Sequence, residues 1–282
     1  MVEGCDIDRK DSMGNTPLGW AAGNGHEGVV KLLLGRDDID PNKQGEHGQT
    51  PLGSAAENGH EGVVKLLLRR DDIHPNKSDE YGQTPLLVAA GMRHEGVVKM
   101  LLGRDDVNPN QPGLGGETPL GCGTWNGDEA VVKMLLGRND IDPSKPDNNG
   151  RTPLWWAACG ANEGVMEILL GRDDLNPDKS DEYGQTPLLL AVRKGHEGVV
   201  KMLLGRDDVN PNKPDDGSRT PLWWAACDGN EGLVKILIGR DDVDHSKPDQ
   251  YHRTPLGIAT SHRRAGVIAL LQSPTSAVDN TP

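Results

Sequence analysis

The sequence predicts an all-α solenoid of eight helix–turn–helix units joined by short β-hairpin loops. The tripeptide Thr-Pro-Leu begins at Thr16, Thr50, Thr84, Thr118, Thr152, Thr186, Thr220 and Thr254, so every interval is 34 residues. Of the 60 Leu, Ile and Val residues, 50 fall in the seven phases set by Leu18, Val29, Val30, Leu32, Leu33, Leu34 and Ile39. Eighteen of the 20 prolines are also in phase, the exceptions being Pro274 and Pro282. A fixed period of this size marks stacked units that bury one another's apolar faces. Composition alone is ambiguous. Sixty large aliphatics among 282 residues and no Phe sit close to the ~20% at which disorder is expected. Phase resolves the ambiguity, because a disordered chain has no reason to keep one.

Each unit reads in order. Thr-Pro starts a first helix, with Thr as N-cap and Pro at a position that needs no donor. In Pro51–Asn58, Leu52, Ala55 and Ala56 lie at i, i+3 and i+4 and form a narrow face of mostly small residues, which lets neighbouring helices approach closely. Gly59 supplies a left-handed residue after it. A second helix spans about 61–68, with Val63, Val64, Leu66, Leu67 and Leu68 apolar nearly all round and Lys65 outward. Such a helix must be covered by its neighbours. The polar stretch Arg-Asp-Asp-Ile-x-Pro-Asn then leads to a turn at Gly82. The units are residues 11–44, 45–78, 79–112, 113–146, 147–180, 181–214, 215–248 and a closing 249–272. A partial hairpin over 1–10 precedes them and a disordered tail over 273–282 follows.

The pattern Thr-Pro-Leu-x-x-Ala-Ala-x-x-Gly-His-x-x-Val-Val-Lys-Leu-Leu-Leu resembles the ankyrin repeat, from about residue 6 to 272. The resemblance implies a non-enzymatic protein-binding scaffold. The sequence departs from the family pattern in its 34-residue period. It departs also in the residue after Thr-Pro-Leu (Gly19, Gly53, Leu87, Gly121, Trp155, Leu189, Trp223, Gly257), and in Gly28, Gly62 and Gly96 early in the second helix. Each such Gly costs up to about 1 kcal/mol relative to Ala. The units are also similar to those of fungal arrays attached to NACHT-type signalling NTPases. That similarity implies an alternative role as the sensor or regulatory region of such a protein.

Charge and motifs exclude several functions. The net charge of −13 is unsuited to nucleic-acid backbones. No run approaches the ~18 apolar residues of a membrane span, and MVEGCDIDRK has no apolar signal region. A cytoplasmic or nuclear monomer that is not secreted is expected, with no cofactor. His26-Glu27, His60-Glu61, His94-Glu95 and His196-Glu197 begin like H-E-x-x-H, but the second His is Val30, Val64, Val98 or Val200, so no zinc pair exists. Asp128, Asn162, Asn230 and Arg264 replace the His elsewhere, which reads as helix capping. Asp38-Ile39-Asp40-Pro41-Asn42 begins like a calcium loop but has Lys43 and Gln49 where Gly and Glu belong. The recurring Arg36/Asp37/Asp38 triplet reads as a solvated face that weakly aligns neighbouring loops. Cys159 and Cys227 share a phase two units apart, roughly 20 Å by helix spacing, too far for a disulfide. No P-loop or G-x-S-x-G occurs, and no catalytic or metal residues are assigned.

The nine Trp and Tyr residues are the functional candidates. Tyr81, Tyr183 and Tyr251 share one loop-tip position with His47. Trp20, Trp156 and Trp224 share a phase with Val88, Cys122, Leu190 and Ile258, which favours core. Trp125 shares a phase with Glu57 and Arg193, which favours exposure. Trp155 and Trp223 share theirs with Gly and Leu and are divided between wedge packing and exposure. Arg151, Arg219 and Arg253 stand at tips, and Arg193 and Lys194 add charge. These residues predict an aromatic groove with a basic rim over repeats 4–8, binding an acidic or mixed-charge peptide or protein through Tyr81, Trp125, Arg151, Trp155, Tyr183, Arg193, Arg219, Trp223, Tyr251 and Arg253. Drift among solvated tips is the competing reading. Gly-Cys-Gly-Thr at 121–124 replaces the usual run ending Ala-Ala, and with Gly115-Gly116 it predicts a weak joint in repeat 4.

Overall fold

A computed structural model of the chain describes residues 6–272. Sixteen α-helices occur among them, in alternating first and second helices, and the chain divides into two compact units at Asn148/Asn149. The first unit holds α1 (Pro17–Gly23), α2 (Glu27–Leu34), α3 (Pro51–Glu57), α4 (Glu61–Leu67), α5 (Pro85–Gly91), α6 (Glu95–Leu102), α7 (Pro119–Trp125) and α8 (Glu129–Leu136). The second holds α9 (Pro153–Gly160), α10 (Glu163–Leu170), α11 (Pro187–Lys194), α12 (Glu197–Leu204), α13 (Pro221–Asp228), α14 (Glu231–Ile238), α15 (Pro255–Ser261) and α16 (Ala265–Gln272). Within each unit the first helices pack in series as one layer and the second helices as another. The tail at 273–282 lies outside the described residues.

The predicted helix starts form as the chemistry requires. All eight Thr side chains accept a hydrogen bond from the backbone N–H three residues on, from Thr16 with Gly19 to Thr254 with Gly257. The core is the predicted ladder of small aliphatics. Ala55, Ala56, Val63, Val64 and Leu67 are fully buried in one repeat, as are Ala191, Val199, Val200 and Leu203 in another.

The hairpin expectation needs correction, since no strand occurs among the described residues. Each tip is a tight turn, as in Asp79 N–H to Gln83 O at 3.1 Å, or in the second unit Asp249 N–H to Arg253 O at 3.0 Å. One tip forms a short 3-10 turn, Glu46–Gly48. Aspartates, half-buried as Asp79 is or buried as Asp181 is, organise many of these turns. Asp79 Oδ1 accepts from the N–H groups of Tyr81 and Gln83, and Asp181 accepts from those of Tyr183 and Gln185.

The capping role expected of histidine is also corrected. His26, His60, His94 and His196 make no side-chain bond to their own helix, whereas Asp128 and Asn230 do. Imidazole Nδ1 is as close to the backbone as a carboxylate oxygen, but the ring is turned so that Nε2 faces the neighbouring repeat. The rings reach the preceding repeat instead. His60 Nε2 donates to Gly23 O at 3.0 Å, His94 Nε2 to Glu57 O at 2.8 Å and His196 Nε2 to Cys159 O at 3.4 Å. Each satisfies a carbonyl at a helix end that has no intrahelical donor.

The Arg-Asp-Asp triplets likewise do more than align solvated loops. Arg70 forks onto Asp72 and donates Nη1 to Leu34 O at 2.9 Å, closing the end of α2. Arg104 does the same for Leu68, and Arg206 for Leu170. The Arg hydrogen bond, against some opposition from burial, holds Asp72, Asp106 and Asp208 below the ordinary carboxylate value. Asparagines lace the loops further along. Asn42 donates Nδ2 to Asp72 O and accepts from His74 N–H, and Asn212 makes the matching pair with Asp242 and Asp244.

Candidate functional site

The second unit gathers most of the aromatic and basic candidates. The sequence Arg-Thr-Pro-Leu-Trp-Trp-Ala-Ala-Cys occurs at 151–159 and again at 219–227. In each copy the second position after Pro points into the stack. Trp155 is 8% exposed and Trp223 is 3% exposed. These two therefore resolve toward wedge packing, behind the surface. The next residue lies outside, and here the expectation is corrected. Trp156 and Trp224 are only half-buried, and Trp20 of the same phase is 52% exposed. The phase is core when filled by Val88, Leu190 or Ile258. An indole is too wide for the same slot and tilts outward.

Each Trp pair meets edge to face, at 4.8 Å for Trp155–Trp156 and 5.2 Å for Trp223–Trp224, the arrangement that ring quadrupoles favour. Guanidiniums stack on the outer ring. Arg151 lies 4.3 Å from the Trp156 centroid, and Arg193 and Arg219 lie 4.3 Å and 4.4 Å from that of Trp224. Arg253 lies 5.4 Å from Trp223 and 5.2 Å from Tyr251. Such contacts contribute ~0.5–2 kcal/mol each.

The basic rim is partly neutralised from beneath. Arg219 pairs with Asp215 at 2.9 Å and Arg253 with Asp249 at 2.7 Å, both aspartates being buried. Burial pushes the Asp249 carboxyl up, but the Arg253 side chain and the N–H groups of Arg253 and Tyr251 more than reverse it, leaving it below its ordinary value. Trp224 Nε1 donates to Asp215 at 3.0 Å. Arg193 is exposed and donates to Gln185 Oε1, while Lys194 beside it is exposed. The spacing Asp-x-x-x-Arg (215–219, 249–253) marks these pairs in the sequence, while the burial of each aspartate is seen only in the structure.

Tyr183 and Tyr251 are 62% and 68% exposed at the tips. Their position has a divided role. Its backbone carbonyl joins successive tips, whatever side chain it carries: Glu182 N–H to Asn149 O at 2.9 Å, Asp216 N–H to Tyr183 O at 3.2 Å and Gln250 N–H to Gly217 O at 3.1 Å. The fold uses the main chain and leaves the side chain to the surface. A cavity of about 280 Å³ opens beside Tyr183, lined also by Arg151, Trp155, Gln185 and Leu190.

The remaining candidates belong to the first unit. Tyr81 is 54% exposed at its tip, 6.1 Å from the His47 ring, and its carbonyl accepts from Leu114 N–H at 3.1 Å. Trp125, the last residue of α7, is 56% exposed. Cys122, Cys159 and Cys227 are free thiols. Burial, with a smaller contribution from Glu117, pushes the Cys122 thiol up to about 12.

The geometry defines a tandem helix–turn–helix repeat protein whose tips vary over a constant frame. The family model for ankyrin repeats (three copies) matches residues 1–79, 37–113, 73–147, 120–215 and 207–281. The chain belongs to the ankyrin repeat family, whose repeats are generic protein–protein interaction modules. No curated protein matches it. No helix among the described residues is long and apolar enough to cross a membrane.

Proposed function

We propose that the second unit binds another protein or peptide through its tips and the outer side of its first helices. It acts as a monomeric, non-catalytic scaffold in the cytoplasm or nucleus. The carrying observation is the divided role of the tip position. The carbonyls of Asn149, Tyr183 and Gly217 are committed to the fold, while the rings of Tyr183 and Tyr251 project and are largely exposed. Tyr and Trp are the usual anchors of interfaces, and here Tyr251, Trp156 and Trp224 carry stacked guanidiniums while Tyr183 shares a cavity with Arg151. Arg193 and Lys194 direct the preference toward an acidic or mixed-charge partner, since Arg219 and Arg253 already hold buried carboxylates. Tyr81 and Trp125 offer a second set of anchors on the first unit.

The test is affinity capture with the wild type and with Tyr183→Ala/Tyr251→Ala, comparing proteins recovered by both. The double variant keeps every tip-to-tip backbone bond, so its fold is retained. Specific capture should fall at least tenfold. Recovery of the same partners at equal yield would refute the assigned surface. Arg193→Glu should reduce capture further at low salt than at high salt.

A further inference from the structure

One groove on the second helices of the first unit is basic, on a chain whose net charge is −13. A cavity of about 480 Å³ opens between the ends of α4 and α6. Lys65, Arg69 and Lys99 stand exposed around it, while Leu68 and Met100 are half-buried beneath them. Among the described residues, none of these three cations has an ion pair or a side-chain hydrogen bond. Arg104 also lines the cavity, but its guanidinium is committed to Asp106 and to Leu68 O, each at 2.8 Å.

The fold has no need of Arg69. Its position is held by Gly35, Gly103, Gly137, Gly171, Gly205 and Gly239 in the other repeats, where each caps the end of its second helix. A cation near a helix C-terminus favours the helix dipole. The Leu68 carbonyl at the end of α4, however, already accepts from Arg104. The long charged side chain that this repeat alone carries therefore serves the surface and not the joint.

We infer that this groove binds a short acidic segment of another protein. An aliphatic side chain of that segment seats on Leu68 and Met100, and its carboxylates meet Lys65, Arg69 and Lys99. Charge complementarity selects the occupant, as it does at interfaces generally. Its length is bounded, because the exposed aspartates Asp71, Asp72, Asp105 and Asp106 follow the two helix ends. A long polyanion such as nucleic acid would meet repulsion from them. The apolar atoms are recessed behind the cations, which suits a protruding side chain and not a bilayer, where apolar groups must project to enter. The groove belongs to the first unit, and its role does not rest on the tips of the second.

The test is to pan a random-sequence peptide library on the full chain, with counter-selection on Lys65→Ala/Arg69→Gly/Lys99→Ala. The variant keeps its fold, because all three side chains are exposed and Gly is the residue of the other repeats at position 69. Peptides that bind the wild type and not the variant should be acidic, with an aliphatic residue among the acids. By fluorescence anisotropy their Kd should weaken at least tenfold in the variant, and weaken in the wild type as salt rises. Tyr183→Ala/Tyr251→Ala should leave that Kd unchanged, which separates the groove from the tips. Recovery of no variant-sensitive peptide, or of variant-sensitive peptides without acids, overturns the inference. Co-sedimentation with phosphatidylserine vesicles that the wild type shows and the variant lacks would assign the groove to a membrane and overturn it equally.

Discussion

Substituting Gly59 by Ala tests the joint between repeats at one atom. Gly59 has φ +71°, and an added Cβ would lie 2.7 Å from His94 Nδ1. A left-handed Ala costs ~1–2 kcal/mol. Moving the His94 ring breaks its bond to Glu57 O at 2.8 Å, and a hydrogen bond of this kind contributes ~0.5–1.5 kcal/mol. The stiffer unfolded chain returns ~0.4–1 kcal/mol. The sum is a loss of about 2 kcal/mol. The molecule contains its own control. Ala161 occupies the same position with φ +54°, and there the histidine bond, His196 to Cys159 O, is stretched to 3.4 Å. Ala161→Gly should therefore stabilise the protein and shorten that bond. Urea unfolding followed by circular dichroism measures both. A Gly59→Ala variant within 0.5 kcal/mol of wild type, taken as the ordinary scatter of surface substitutions, would refute the reasoning.

Acid should loosen the tips of the second unit. The Asp249 carboxyl is depressed in the folded state, so its contribution is full above the ordinary value of 3.8 and lost as pH falls through the lower folded value. Asp249→Asn should be less stable than wild type at neutral pH and lose less on acidification, as thermal melts across that range will show. In repeat 4, Gly123 stands where Ala21, Ala55 and Ala89 stand in the other repeats of its unit, so the amides of α7 should exchange faster than those of α3 and α5 in native-state hydrogen exchange. The Cys122 thiol, raised to about 12, should resist alkylation at mildly alkaline pH in the folded protein and react once the chain is unfolded, as peptide mass mapping will reveal.

Period made the frame legible. Thr16 through Thr254, the following prolines and the aliphatic phases each map onto one structural role, because a repeat shows the same choice eight times. Side-chain direction within a phase was less legible. Trp156 and Trp224 share a phase with Leu190 yet turn outward, since periodicity records position on a helix and not the width of the slot. The histidines depart from the capping pattern for a related reason. His, Asp and Asn interchange at that position, which looks like capping, but only Asp128 and Asn230 cap. The imidazole reaches the neighbouring repeat, an acceptor about 37 residues back in sequence. The charged candidates at 219 and 253 were visible, while their neutralisation by Asp215 and Asp249 became clear only when burial was known.

These long-range bonds share a design that explains how so thin a core holds. His94 takes the carbonyl of Glu57, Arg104 that of Leu68, Asn76 that of Asp106 and Lys77 that of Asn42. In every case a side chain of one repeat satisfies a backbone oxygen of its neighbour, two of the four at helix ends where intrahelical donors run out and two in the loops. The joints are thus made of main-chain acceptors that no substitution can remove, read by a few recurring side chains. Surface positions such as 81, 183 and 251 stand outside this lacing and are free to differ. It follows that damage at one joint should stay local, since each bond spans only one repeat boundary. Gly59→Ala should accelerate hydrogen exchange in α3 and α5 while leaving the protection of α11 and α13 unchanged. A uniform loss across both units would show instead that the repeats unfold as one cooperative body and that the lacing is not nearest-neighbour.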